Sequence, residues 1–133
     1  MSIPENPWFL QAEDDLKMAK LAFANGFYSQ TCYHPSQSAE KALKSIIIDL
    51  GELPPKTYAL NRLKGMLSQL GLHTPELEDL KLNFLTHMHT STRYPSEDLP
   101  PVQLFDQSDG EECLEIAEKV ISFTRMMKKG DAK

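Results

Sequence analysis

Apolar residues recur at steps of three and four along almost the whole chain, and nowhere do they alternate with a period of two. A chain patterned this way folds into helices that bury one face each against one another, not into a sheet. Trp8, Ala12, Leu16, Ala19 and Phe23 form one such stripe and predict a first helix over about residues 7–25. Pro7 suits its first turn, and Asn25-Gly26 stops it, because glycine accepts the left-handed conformation of a helix end. A second helix is expected over about 27–50, with Ala39, Leu43, Ile46, Ile47 and Leu50 on its inner face and Gly51 and Pro54-Pro55 ending it. Pro35 lies inside this stretch, removes a backbone donor, and is expected to kink or split the helix.

Thr57 reads as the N-cap of a third helix bearing Leu60, Leu63, Leu67 and Leu70, closed by Gly71. Thr74-Pro75-Glu76-Leu77 reads as cap, first-turn proline and acidic first turn of a fourth, with Leu77, Leu80, Phe84 and Met88 as its stripe. From Arg93 to about Asp106 the pattern fails, and Pro95, Pro100 and Pro101 exclude regular helix. A non-periodic loop of this length inside a compact domain points to function. Ser108 or Asp109 then caps a fifth helix with Cys113, Ala117, Val120, Thr124 and Met127 inside, leading to a basic tail from Met126 to Lys133. The fold expected is an all-α up-and-down helical bundle of four main helices plus a fifth, in one domain over residues 1–133.

Composition narrows the function classes. The longest purely aliphatic run is Ile46-Ile47-Ile48, far short of the roughly 20 residues of a membrane span. Met1-Ser2-Ile3-Pro4-Glu5-Asn6 carries no secretory pattern, and the two cysteines, Cys32 and Cys113, lack metal spacing. A cytoplasmic protein without a disulfide framework is expected. The formal net charge of -5 means that any nucleic-acid binding rests on a local patch. No glycine-rich phosphate loop and no nucleophile elbow occur.

Two polar groupings remain as candidates. Tyr33, Gln37, Glu40 and Lys44 fall on one face of the second helix and offer an aromatic ring, an amide, a carboxylate and a cation to a ligand. The plain alternative is a solvated face with an ordinary Glu40–Lys44 pair. Thr90-Ser91-Thr92-Arg93-Tyr94-Pro95 stands where a helix ends. Arg93 supplies a fork of donors suited to phosphate, and Tyr94 can stack on a base. The plain alternative is an arginine capping the carbonyls of its own helix. His87 and His89, two residues apart on a helix, face apart and make a poor metal pair, so no metal site is expected.

The order of features resembles the HEPN domain family. Ala12-Glu13-Asp14-Asp15-Leu16-Lys17-Met18-Ala19 is followed by Ser36-Gln37-Ser38-Ala39-Glu40-Lys41-Ala42-Leu43-Lys44 and finally by Arg93-Tyr94-Pro95. Members commonly show a D-L-x-x-A opening, a Q-x-A-E-K-A-L-K helix and an R-Y-P turn, and the likeness spans about residues 8–128. It implies a bundle of four main helices with a fifth, homodimers, and in many small prokaryotic members action beside a minimal nucleotidyltransferase as a toxin–antitoxin pair. Many members are metal-independent ribonucleases in which an arginine is followed, after four to six residues, by a histidine. Here those positions hold Asp98, Leu99 and Pro100, and no histidine follows Arg93. Tyr58-Ala59-Leu60 departs from the His-Asp-Leu of many relatives, and His34-Pro35 places a proline where relatives continue the helix.

The reading is therefore a non-catalytic module that binds a nucleotide or the nucleotide end of an RNA without cofactor or metal. Arg93 takes the phosphate, Lys44 and Lys41 add positive potential, Tyr94 or Tyr33 stacks, and Gln37 and Glu40 orient polar groups. Two alternatives stand beside it. One is a ribonuclease toxin with Glu97 or Asp98 as a displaced acid–base group of strongly raised pKa. The other is a ligand-free dimerising interaction protein.

Overall fold

The computed structural model describes residues 6–94 and 99–129. Among the described residues seven helices follow one another: α1 (Pro7–Ala24), α2 (Tyr28–Asp49), α3 (Leu60–Gln69), α4 (Pro75–Glu78), α5 (Leu82–Ser91), α6 (Pro101–Leu104) and α7 (Gln107–Lys128). The all-α bundle is the architecture expected from the periodicity. α2 lies at its centre, packed against α1, α7, α3 and α5. Its neighbours close around Ala39, Ala42, Leu43, Ile46 and Ile47, all buried. One continuous core joins these to Ala12 and Ala19 of α1, Leu60, Leu63 and Leu67 of α3, Leu82 and Leu85 of α5, and Ala117, Val120 and Phe123 of α7.

α1, α2 and α3 end in the same way. In α2 the Gly51 N–H donates to the Ile48 carbonyl and the Glu52 N–H to the Ile47 carbonyl, while Gly51 sits at φ 86°. Gly26 and Gly71 repeat the pattern at φ 79° and 91°. This Schellman geometry satisfies carbonyls that a helix end leaves unpaired, and only glycine adopts it without strain.

Several expectations change at the level of single residues. Trp8 is not part of the α1 inner face: Phe9 is buried in its place, and Trp8 is 40% exposed. Asn6 is the cause, since its side chain accepts from the Trp8 N–H at 2.8 Å and donates to the Ser45 carbonyl and to Asp49. That tie fixes the rotation of α1 against the end of α2. Pro35 does not split α2, which runs unbroken from Tyr28 to Asp49 with Pro35 buried. Here the hydroxyls of Thr31 and Ser36 hydrogen-bond the carbonyls of Phe27 and Tyr33.

The expected fourth helix is two elements, α4 and α5, broken at Asp79–Lys81. The break re-aims the chain so that Leu82 and Leu85 are buried, whereas Leu80 and Phe84 pack only at the margin of the core. Thr74 gives no side-chain cap. Nor does Thr57 cap α3 directly; its hydroxyl accepts from the Ala59 N–H, and the Leu60 N–H turns to the Thr86 hydroxyl at 3.0 Å. Pro101 starts the single turn α6 inside a loop expected to lack helix, as a first-turn proline permits. The N-cap of α7 is Asp106, in a reciprocal capping box with Asp109.

Candidate functional site

The polar face of α2 meets the last turn of α5 and the segment between α2 and α3. His89, on α5, lies at the centre. The Gln37 amide donates to its Nδ1 at 2.9 Å. An amide nitrogen only donates, so Nδ1 accepts and the ring carries its proton on Nε2. Tyr58 stacks on the same ring, centroids 4.0 Å apart and planes 10° from parallel. Tyr33 closes the side, its centroid 6.4 Å from that of His89. Burial, reinforced by the Arg93 charge, holds the His89 pKa below the usual histidine range, with Glu40 pulling the other way.

Arg93 follows one turn later. Its Nε donates to the His89 carbonyl at 2.8 Å, which is the helix-capping role open to it from the sequence. That bond leaves the two terminal guanidinium nitrogens for other partners. The guanidinium carbon also stands 5.2 Å from the Tyr33 ring and 5.3 Å from the Tyr94 ring, so the cation rests among aromatic faces. Arg93 is exposed, and among the described residues no carboxylate pairs with it. Pro95, Glu97 and Asp98, named above in the turn and as displaced acid–base groups, lie outside the described residues.

The structure thus brings Arg93, Tyr94, Tyr33 and Gln37 together and leaves the two lysines elsewhere. Lys41 points to α1 and pairs with Asp15 at 2.7 Å; the Gln11 amide also holds that carboxylate. Lys44 is buried, pairs with Glu40 at 2.9 Å, and lies 5.8 Å from the Trp8 ring. It borders a groove of about 1010 Å³ whose walls include Trp8, Ile48, Leu53, Pro54 and Lys56. Sequence reading missed His89 and Tyr58 as members of the cluster. His89 was legible as the residue one helical turn before Arg93, on the same face. Tyr58 is distant in sequence, and only the path of the α2–α3 segment brings it to the ring.

Among the described residues the cysteines and the metal-ligating side chains assemble no second site. Cys32 and Cys113 are buried, and the Cys32 thiol beside it together with burial pushes the Cys113 thiol far up, so it is no thiolate nucleophile. Among the described residues no group of three metal-ligating side chains converges, and no helix is long and apolar enough to cross a membrane.

A cluster of this kind on an all-α bundle defines a helical module with a polar, aromatic-lined α2 face. The chain matches the HEPN domain over residues 6–127 and belongs to that family. It is 28% identical to "Putative toxin MJ1304" of Methanocaldococcus jannaschii over 120 residues, 84% of this chain and 79% of that protein. Among solved structures, TT1696 from Thermus thermophilus superposes with a TM-score of 0.82 at 27% identity, covering 89% of this chain and 93% of that one. ST0689, an archaeal HEPN homologue, gives 0.70 at 26% identity, covering 95% of each. A HEPN domain protein of Thermotoga maritima shares the fold, with a TM-score of 0.69 at 24% identity and coverage of 92% and 97%.

Proposed function

We propose that this HEPN protein is a toxin-like module that binds a nucleotide, or the nucleotide end of an RNA, at the Arg93 corner, and does not itself cut RNA. The observation that carries the reading is the exposed Arg93 guanidinium set between Tyr33 and Tyr94, with its Nε spent on the His89 carbonyl. The remaining fork suits a phosphate, and the rings beside it suit a base. Gln37 orients the floor of the site through His89. Glu40 and Lys44 extend the same face and, being paired with each other, tune its potential more than they grip the ligand. Lys41, also on α2 and held by Asp15 of α1, does the same.

The resemblance to a protein named as a toxin supports the toxin-like part of the reading. Family habit supports a homodimer and a nucleotidyltransferase partner, in the cytoplasm. Without a histidine after Arg93 the family's usual ribonuclease pair is incomplete.

The test is a calorimetric titration with AMP, ATP and a short 5′-phosphorylated RNA. Saturable binding to the wild type, weakened at least about fivefold in Tyr33→Ala, is the expected result. Losing a base–aromatic stack is worth about 1–3 kcal/mol. The RNA is recovered at full length. Metal-independent cutting abolished by Arg93→Ala would replace this reading with the ribonuclease one.

A further inference from the structure

Resting on the nucleotide reading above, we infer that His89 is a second phosphate contact beside Arg93, and that it takes up one proton as the phosphate binds. The geometry makes the case. Gln37 holds Nδ1 and Tyr58 covers one face of the ring, so the imidazole is fixed in both tautomer and plane. Its one N–H then sits on Nε2, at the edge turned away from Gln37. Among the described residues Nε2 meets no hydrogen-bond partner. Arg93, which rises from the His89 carbonyl itself, puts its guanidinium on the same corner. A phosphate on the Arg93 fork therefore arrives within the field of the imidazole.

The charged and titratable groups facing the ring are few. Arg93 stands on its own helix end, Glu40 and Tyr33 come from α2, and Tyr58 comes from the α2–α3 segment. Without ligand, burial and the Arg93 charge keep the ring neutral near pH 7. A phosphate dianion offsets the guanidinium and adds a negative charge of its own, so the imidazolium becomes the favoured form. The proton goes to Nδ1, and the Gln37 amide turns over to present its oxygen to the new N–H. No bond to the ligand is made or broken; one proton passes from solvent to His89.

The experiment uses AMP with the full chain. The His89 ring proton is followed by NMR from pH 5 to pH 8.5, free and AMP-saturated, and AMP affinity is measured over the same range. The inference expects the His89 midpoint to move up on saturation. It also expects affinity to tighten as pH falls, by up to about tenfold per pH unit, the limit for one proton taken up. His89→Asn flattens that dependence. The second AMP proton, with a pKa of about 6, titrates alike for both proteins and cancels in their ratio. The wild-type NMR titration stands even if His89→Asn fails to fold. If AMP binds through Arg93 but the His89 midpoint stays fixed, this inference is overturned and the nucleotide reading survives. If AMP does not bind, this inference falls, and the nucleotide reading falls with it when ATP and the 5′-phosphorylated RNA fail to bind as well.

Discussion

Arg93 shows how one side chain serves two roles without conflict. Its Nε closes the last turn of α5 on the His89 carbonyl, and its outer nitrogens remain for an anion. Removing it touches both, so Arg93→Ala is expected to abolish nucleotide binding and to cost the fold only about 0.5–1.5 kcal/mol, the worth of one hydrogen bond. Chemical denaturation separates the two effects. Gly51 has a single role. At φ 86° it carries the Schellman stop of α2, and Gly51→Ala is expected to destabilise by about 1–2 kcal/mol, read as a lower melting temperature with binding intact. No atom stands within 4 Å of a Cβ built there, so any loss comes from the backbone and not from a clash.

Among the elements, α2 and α7 show what periodicity reveals and what it omits. The stripes of three and four name the centre line of each inner face, Ala39, Leu43, Ile46 and Ile47 in α2 and Cys113, Ala117, Val120 and Thr124 in α7, because burial against a neighbour is what that spacing encodes. Leu50, expected inside, is 42% exposed past the end of α2, and Leu114, Ile116, Ile121 and Phe123 widen the buried face of α7 beyond the stripe. The stripes do not reveal rotation by one residue. Trp8 and Phe9 are both apolar, and only the Asn6 tie to α2 decides which goes inside. The α4–α5 break is hidden likewise, since no proline or glycine marks Asp79–Lys81. The Arg93 corner was legible as residue types in order. Its assembly was not, because Tyr58 and His89 meet only through tertiary packing. At Gly110 α7 runs close against its neighbours: a Cβ there would stand 3.1 Å from both Phe23 and Thr31. Gly110→Leu is therefore expected to destabilise by about 1–3 kcal/mol through overpacking, despite leucine's better helix propensity.

For the whole molecule, charge and proton balance set the response to pH. His34 and His89 both titrate below the usual histidine value, chiefly through burial. For His34, Lys41 adds to that lowering and Asp15 opposes it. The unfolded chain therefore binds protons that the fold resists. Stability is full above about pH 6.5, the unfolded histidine value, and declines as pH falls through the folded values. Urea unfolding at pH 7.5, 6.5 and 5.5 checks this, and a His34→Gln, His89→Gln double variant is expected to show a shallower decline. The -5 net charge makes the rest of the surface a poor host for nucleic acid, which leaves affinity to the Arg93 corner. The most direct measurement is thermal unfolding against titrated AMP, ATP and 5′-phosphorylated RNA, wild type beside Arg93→Ala. A ligand at 100 times its Kd adds about 2.7 kcal/mol, a rise of several degrees for a domain of this size. The account predicts a concentration-dependent rise in the wild type and none in Arg93→Ala. An equal rise in both proteins, or none in either, would contradict it.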